Sequence, residues 1–256
     1  MKQKIGLQLF SLREVIGDDV DGALRQVAAA GYNCVEFAGY YGMEAGELAA
    51  LCRSHGLEPY STHVRFDMLK DHLDEVVDYS RRLGLSYVIC PGAPHSTPEE
   101  VAELASVLNQ AREALAPYGI RTGYHNHSSE FETFADGRYI YDHLIAAYAA
   151  EDMVAEVDTC WVAVGGVDPV AYVDGLGATA GPLHFKELSA TWQPGSRDVD
   201  EVIGRGVIDF KSLLEVMQKN GTLERGVIVE QEGFRGDPYE ELAEAAARIR
   251  ALWPEE

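Results

Sequence analysis

Ionisable residues alternate with apolar residues in several short segments of this sequence. In PLHFKEL (182–188), His184 and Lys186 alternate with Leu183 and Phe185. Successive side chains of a β-strand point to opposite faces, so the ionisable residues of each segment would share one face. The same alternation identifies the remaining members of the set: Glu36, His63, His125, His127, Glu156, Asp158, Glu230 and Glu232.

This combination of residue types suits a divalent metal ion. Burying several carboxylates without partners would cost several kcal/mol each, which a cation would offset. Asp, Glu and His without Cys fit Mn²⁺, Mg²⁺, Co²⁺ or Zn²⁺. Such an ion can act as a Lewis acid on a substrate oxygen. A salt-bridged structural network without a metal is the alternative interpretation.

The elements that must position these residues recur as units of strand, polar loop and amphipathic helix. Eight such units in about 250 residues are typical of an α/β protein with the (β/α)₈ TIM-barrel fold. We expect residues 1–256 to form one such domain, with the site at the carboxyl ends of the strands. A doubly wound open sheet is the alternative, but the first turn, FSLREVIGDD, lacks the GxGxxG pattern. The predicted strands are 4–11, 34–39, 57–64, 87–92, 121–127, 153–161, 182–188 and 226–233. The predicted helices include 20–30, 47–55, 72–83, 98–116 and 240–252.

Composition excludes several classes of partner. The chain has 21 Lys and Arg against 42 Asp and Glu, a formal net charge of −21. This charge opposes binding to nucleic acids and to anionic membrane surfaces. The four cysteines form no CxxC pair and are expected to be reduced. Without a signal peptide or a long apolar run, the sequence predicts a cytoplasmic protein with no membrane span.

Five motifs carry a resemblance to a known superfamily. YHNHSSEF, EVDTCW, LHFKEL, GRGVIDF and IVEQE occur in this order along the chain. They resemble the sugar phosphate isomerase/epimerase superfamily of xylose isomerase-like TIM barrels, which includes D-tagatose 3-epimerase-type enzymes and inosose dehydratases. The resemblance implies one divalent metal, Mn²⁺ before other ions, bound by Asp158, His184, Glu230 and a fourth ligand. Many relatives carry this ligand as a Glu on the fifth strand, where this chain reads YHNH. We therefore expect Glu130, just beyond that strand, to be the ligand, with His125 as the alternative.

The resemblance also implies a reaction. It predicts an isomerase or epimerase of a sugar or sugar derivative, which removes a proton next to a carbonyl while the metal stabilises the enediolate. Glu130 and Glu230 are the predicted proton-transfer residues, and His125 and His127 are further candidates for general base or substrate binding.

The predicted substrate-binding residues are His63, Lys186, Trp161, Glu36 and Arg205. Phe10, Phe66 and Trp192 could also wall the pocket, although core packing would explain any one aromatic side chain. The predicted partner is a small carbohydrate, and a homo-oligomer or a partner subunit is also possible.

Two other functions stay open from the sequence. A lyase or dehydratase, of the inosose dehydratase or 3-keto-glycoside type, would use the same proton abstraction and then lose a β-substituent. The imidazoles of the YHNH strand favour this alternative. A non-catalytic sugar-binding barrel is the other possibility.

Overall fold

Eight short strands form one parallel sheet in the computed structural model, which describes residues 3–148, 152–196 and 199–254. The strand order is β6-β5-β4-β3-β2-β1-β8-β7. Isolated bridges between Ala155 and Ala180 and between Asp158 and His184 link the two outermost strands. The sheet is therefore a nearly closed barrel in a single domain, which confirms the predicted TIM-barrel fold. The strands are β1 Ile5–Gln8, β2 Cys34–Phe37, β3 Glu58–His63, β4 Tyr87–Cys90, β5 Arg121–His125, β6 Val154–Glu156, β7 Leu183–Phe185 and β8 Val227–Val229.

Helices connect the strands, and several begin and end as the sequence predicts. The helix over 20–30 begins after Asp19, whose side chain accepts the Gly22 N–H, and ends at Gly31. Gly31 has a φ of 102°, a left-handed conformation that glycine adopts at little cost. The α-helices in the described ranges are α1 Val20–Ala30, α2 Ala45–Ser54, α3 Phe66–Asp71, α4 Leu73–Leu83, α5 Pro98–Leu115, α6 Ile140–Ala146, α7 Thr159–Val164, α8 Pro169–Leu176, α9 Phe210–Lys219 and α10 Pro238–Leu252.

The strand predicted over 153–161 is wrong beyond Glu156. The Asp158 side chain accepts the Trp161 backbone N–H at 2.9 Å, and this contact caps α7. Aspartate is a favoured N-cap residue, so the chain turns from strand to helix at this point. The strand predicted over 226–233 is also shorter, since β8 ends at Val229. Asp158 and Glu230 consequently lie just past the strands, at the mouth of the barrel.

The predicted alternation of faces is confirmed. Residues such as Leu183 and Phe185 belong to the large core between the barrel and its helices. The residues that alternate with them point into the barrel, where a lower apolar layer lies beneath an upper ionisable one. The lower layer consists of Cys34, Tyr60, Tyr87, Ile89, Val154 and Ile228. The upper layer includes Gln8, Glu36, His125, Glu156, His184 and Glu230, all of which are buried.

Close packing limits side-chain size inside the barrel. A Cβ at Gly6 would lie 2.6 Å from the Ile228 side chain, and one at Gly123 would lie 1.8 Å from the Val154 carbonyl oxygen. Both glycines therefore allow neighbouring strands to approach. All four cysteines are buried, as the sequence predicts.

None of the helices in the described parts of the chain combines the length and apolar character needed to cross a bilayer.

Candidate metal centre

Four residues from successive strand ends meet at the mouth of the barrel. His125, Asp158, His184 and Glu230 each offer one potential ligand atom, and these atoms all lie within 4.8 Å of one another. The four residues are between 0% and 7% exposed. Two imidazoles and two carboxylates form a donor set that suits a divalent ion of intermediate hardness. We call these four residues the ligand cluster.

The ligand cluster contains buried polar atoms whose hydrogen-bonding capacity is not fully used. Asp158 Oδ2 has no hydrogen-bond partner among the described residues. His125 Nδ1 and His184 Nδ1 make no well-directed hydrogen bond, although carboxylate oxygens of Glu156 and Glu230 lie 3.3 and 3.4 Å away. Such atoms are rare in folded proteins because each loses its hydration without compensation. Burial also raises the pKa of Asp158 to about 7. A bound cation would satisfy these atoms and favour the carboxylate, so the cluster fits a metal ion.

Two further carboxylates of the upper layer, Glu36 and Glu156, lie beside His184. The Nε2 of His184 donates to Glu36 Oε1 at 2.7 Å, and Gln8 Nε2 donates to the same oxygen at 2.7 Å. Burial opposes ionisation of Glu36, but His63 and His184 hold its pKa well below the usual value. Because Glu36 is then a pure acceptor, the Nε2 of His184 carries a hydrogen. Such a contact fixes the orientation of a metal-binding histidine.

His63 joins the same layer from β3. Its Nε2 lies 2.8 Å from Glu156 Oε2 and 3.0 Å from Glu36 Oε1. Although burial opposes the charged form, these carboxylates raise the pKa of His63 to about 10. The imidazolium partly offsets the two buried carboxylates. His63, His125, Glu156 and His184 also form a second group of potential ligands within 4.8 Å. Glu36, predicted to bind substrate, is completely buried in this network.

Lys186 provides the other buried positive charge. It is 1% exposed, pairs closely with Glu232, and its Nζ lies 4.0 Å from Glu230 Oε2. Burial opposes the charged form, but Glu230, Asp158 and Glu232 raise the pKa of Lys186 above its usual value. Burial likewise opposes ionisation of Glu230, yet Lys186 and His184 lower its pKa to about 2. Glu230 is consequently a carboxylate at neutral pH.

Glu130 lies outside both groups of potential ligands. Its Oε1 accepts the Tyr124 hydroxyl at 2.8 Å, and its Oε2 accepts the His127 backbone N–H at 3.0 Å. The Ser129 hydroxyl donates to the same Oε2 at 3.2 Å. These contacts fasten the loop that follows β5. His125, the alternative from the sequence, is the fifth-strand residue in the ligand cluster.

A cavity of about 410 Å³ opens above the ligand cluster. His63, His125, His127 and Glu230 line it. Burial lowers the pKa of His127, so its imidazole is neutral at pH 7. The cavity therefore presents a neutral imidazole and a carboxylate, the two kinds of group that general acid–base catalysis requires.

The aromatic candidates occupy different places. Phe10 lines the 410 Å³ cavity and is 40% exposed. Trp161 and Trp192 line a neighbouring cavity. Phe66 packs against the large core.

Arg205 is directed to another part of the fold. Its Nε donates to Glu244 of α10 at 3.0 Å, and it lines neither cavity. Close packing explains why the neighbouring position 206 is a glycine, since a Cβ there would lie 2.1 Å from the Leu188 carbonyl oxygen.

Glu187 is a residue that our sequence analysis did not single out. Its buried carboxylate accepts the backbone N–H groups of Leu188, Gly204 and Ile208 at 2.8 to 3.0 Å. It therefore holds the GRGVI segment against the end of β7. Its place next to Lys186 in LHFKEL gave no signal of this role, because two of the three partners are backbone groups 17 and 21 residues away.

Solved structures with the same fold extend over nearly the whole chain. A sugar phosphate isomerase/epimerase from Parabacteroides distasonis ATCC 8503 is 24% identical with a TM-score of 0.80, covering 98% of this chain and 94% of that one. An L-ribulose 3-epimerase is 15% identical with a TM-score of 0.76, with coverage of 98% and 94%. A probable 3-DHS dehydratase from Bacillus anthracis is 12% identical with a TM-score of 0.73, with coverage of 96% and 98%. At these identities the similarity establishes the fold alone.

The sequence comparisons give a family. No similar sequence was found among curated proteins. The family model described as xylose isomerase-like TIM barrel matches residues 24–252, which include the whole ligand cluster. The chain therefore belongs to the xylose isomerase-like TIM-barrel family.

Proposed function

We propose that this protein is a metal-dependent isomerase or epimerase of a sugar or sugar derivative. The observation that carries the proposal is the ligand cluster, in which three of four residues have a buried polar atom without a well-directed hydrogen bond. Family membership and the isomerase and epimerase names of the structural neighbours support the same reaction class.

The proposed ligands are His125, Asp158, His184 and Glu230. This choice replaces Glu130 by His125, since three hydrogen bonds already engage the carboxylate of Glu130. We retain Mn²⁺ as the expected ion. When bound, the ion would supply Lewis-acid stabilisation of negative charge next to the reacting carbon.

The residues of the chain perform the proton transfer in this proposal. His127, a neutral imidazole in the cavity wall, accepts or returns the proton on one side of the substrate. Glu230, kept ionised beside Lys186, serves as the second proton-transfer group. Glu130 acts through His127, because its carboxylate holds the backbone N–H of that residue. Burial of the cluster excludes bulk water from the reacting atoms, which strengthens these electrostatic effects.

Two measurements test the proposal. Elemental analysis of the purified protein is expected to give about one equivalent of divalent metal, which is lost in His184→Ala. His55→Ala is the matched control, because His55 is a partly buried histidine that pairs with Asp21 and belongs to neither group of potential ligands. Incubation of ketoses with the protein in D₂O is expected to place deuterium next to the carbonyl and to yield a product isomer. Absence of metal after Mn²⁺ reconstitution, or absence of exchange on every ketose, would contradict the proposal.

A lyase is the second candidate. The two imidazoles near the end of β5, His125 in the cluster and His127 in the cavity, favour it, because epimerases of the superfamily carry a carboxylate on this strand. Both reactions begin with the same deuterium exchange. Mass spectrometry separates them, because an epimerase gives a product of unchanged mass whereas a lyase product has lost water or an aglycone. The carbohydrate substrate, the cytoplasmic location and assembly with a second copy or a partner subunit remain predictions.

A further inference from the structure

A second cavity adjoins the one above the ligand cluster. The two share His127 and Glu232 in their walls, and their volumes are about 410 and 620 Å³. His63, His125 and Glu230 line only the smaller cavity. The larger cavity therefore extends the site away from the ligand cluster, and the proton-transfer chemistry proposed above does not use it.

Two tryptophans line this larger cavity, which we call the tryptophan cavity. Trp161 lies one helical turn beyond Asp158, and its ring centroid is 5.8 Å from that of His127. The indole N–H of Trp192 donates to the Ser196 carbonyl oxygen at 3.0 Å, which fixes the ring in its loop. Both pack beside a small apolar cluster rather than in the main core. Aromatic side chains offer large apolar faces, which suit the C–H faces of a ring-shaped ligand.

The polar groups of the tryptophan cavity include two carboxylates. Asp200 and Glu232 contribute them, and Asp200 accepts the Glu232 backbone N–H at 2.8 Å. Carboxylates and hydroxyls exchange hydrogen bonds readily with the hydroxyl groups of a sugar. The cavity is consequently suited to a hydroxylated ring.

We propose that the substrate contains two rings. The reacting keto-sugar lies above the ligand cluster, and a second sugar ring attached to it lies in the tryptophan cavity. The substrate class is therefore a disaccharide-type glycoside. The part concerning the first ring rests on the proposed function, whereas the tryptophan cavity can be tested by binding alone.

Isothermal titration calorimetry of the Mn²⁺-loaded protein tests the proposal. The probes are methyl α-D-glucopyranoside, glucose 6-phosphate, maltose, cellobiose and trehalose. At least one disaccharide is expected to bind about tenfold more tightly than the methyl glucoside, and more tightly than glucose 6-phosphate. Equal affinity for one and two rings, or tightest binding of the phosphate, would overturn the proposal.

Variants locate the second ring. Trp192→Ala is expected to bring the affinity ratio of disaccharide to methyl glucoside close to one, and Trp192→Phe should retain most of it, because a flat ring remains. Trp253→Phe is the matched control, since Trp253 lies at the end of α10 and lines neither cavity. A ratio that Trp192→Ala leaves unchanged would also overturn the proposal.

The two proposals fail in different ways. Disaccharide binding that depends on Trp192, without deuterium exchange on any keto-sugar, would refute the proposed function and leave the tryptophan cavity supported. Exchange on free ketoses, without any preference for two rings, would refute the tryptophan cavity and leave the proposed function intact.

Discussion

Replacing Asp158 by asparagine is expected to stabilise the metal-free protein. Burial raises the pKa of this carboxyl from 3.8 to about 7, with smaller effects from Lys186, Glu230 and His184. A carboxyl whose pKa is higher in the folded state destabilises the fold as pH rises through that range. The difference between the two pKa values lowers the free energy of unfolding by at most roughly 4 kcal/mol at pH 8. Asparagine removes the charge and retains an oxygen that can cap α7 through the Trp161 N–H.

The pH dependence provides an internal check. At pH 5 the folded carboxyl is almost fully protonated, while the unfolded one is mostly ionised, so the same relation gives a penalty of roughly 2 kcal/mol. The advantage of Asp158→Asn should therefore shrink by about half between pH 8 and pH 5. Urea unfolding in EDTA at both values measures it. The control is Asp174→Asn, which removes a surface carboxylate paired with Lys219 and should change stability little.

Binding of the metal ion is expected to remove much of the stability advantage of Asp158→Asn. Mn²⁺ at about 100 times its dissociation constant should stabilise the wild-type protein by roughly 3 kcal/mol. The variant should gain far less, because an uncharged ligand has replaced a carboxylate. The difference between the two proteins should then narrow to about 1 kcal/mol by the same relation. A variant that is no more stable than wild type in EDTA at pH 8, or whose advantage does not depend on pH, would refute the reasoning.

Three further substitutions test separate parts of the site. Glu36→Leu should weaken Mn²⁺ binding about 10- to 100-fold in a chelator competition, because His184 loses the acceptor that orients it, and unchanged affinity would contradict that role. Glu130→Ala should keep the full metal content but lower turnover, because the backbone N–H of His127 loses its acceptor, whereas loss of the metal would identify Glu130 as a ligand after all. Glu187→Ala should lower the free energy of unfolding by roughly 3 kcal/mol, since three backbone N–H groups lose their acceptor, and a urea curve that does not move would show that water replaces the carboxylate.

The alternation of residue types predicted most of the barrel interior. Because every second side chain of a strand points to the same face, the sequence alone predicts that Leu183 and Phe185 lie on one face and His184 on the other. Strand ends were less predictable. The segment 153–161 was predicted to be a strand throughout. In the structure the strand ends before Asp158, because its side chain caps α7 by accepting the Trp161 N–H.

The fifth-strand ligand illustrates what a linear motif leaves open. Glu130 lies five residues after His125, and both are within reach of the barrel mouth along the chain. Which of the two joins the ligand cluster depends on Tyr124, Ser129 and the His127 backbone, because these groups donate hydrogen bonds to the carboxylate of Glu130. Competition among nearby donors for one acceptor is a property of three-dimensional packing.

The sequence by itself determined the fold, the inward set of ionisable residues and the family, because these follow from side-chain period, unit length and motif order. Only the tertiary structure decided which of those residues share the ligand cluster, that the buried Glu36 accepts from His184, and that Arg205 is directed to Glu244. The physical reason is that these contacts join residues between about 30 and 150 positions apart. The distances between these residues depend on how the strands and loops pack, and the local sequence pattern does not predict that packing.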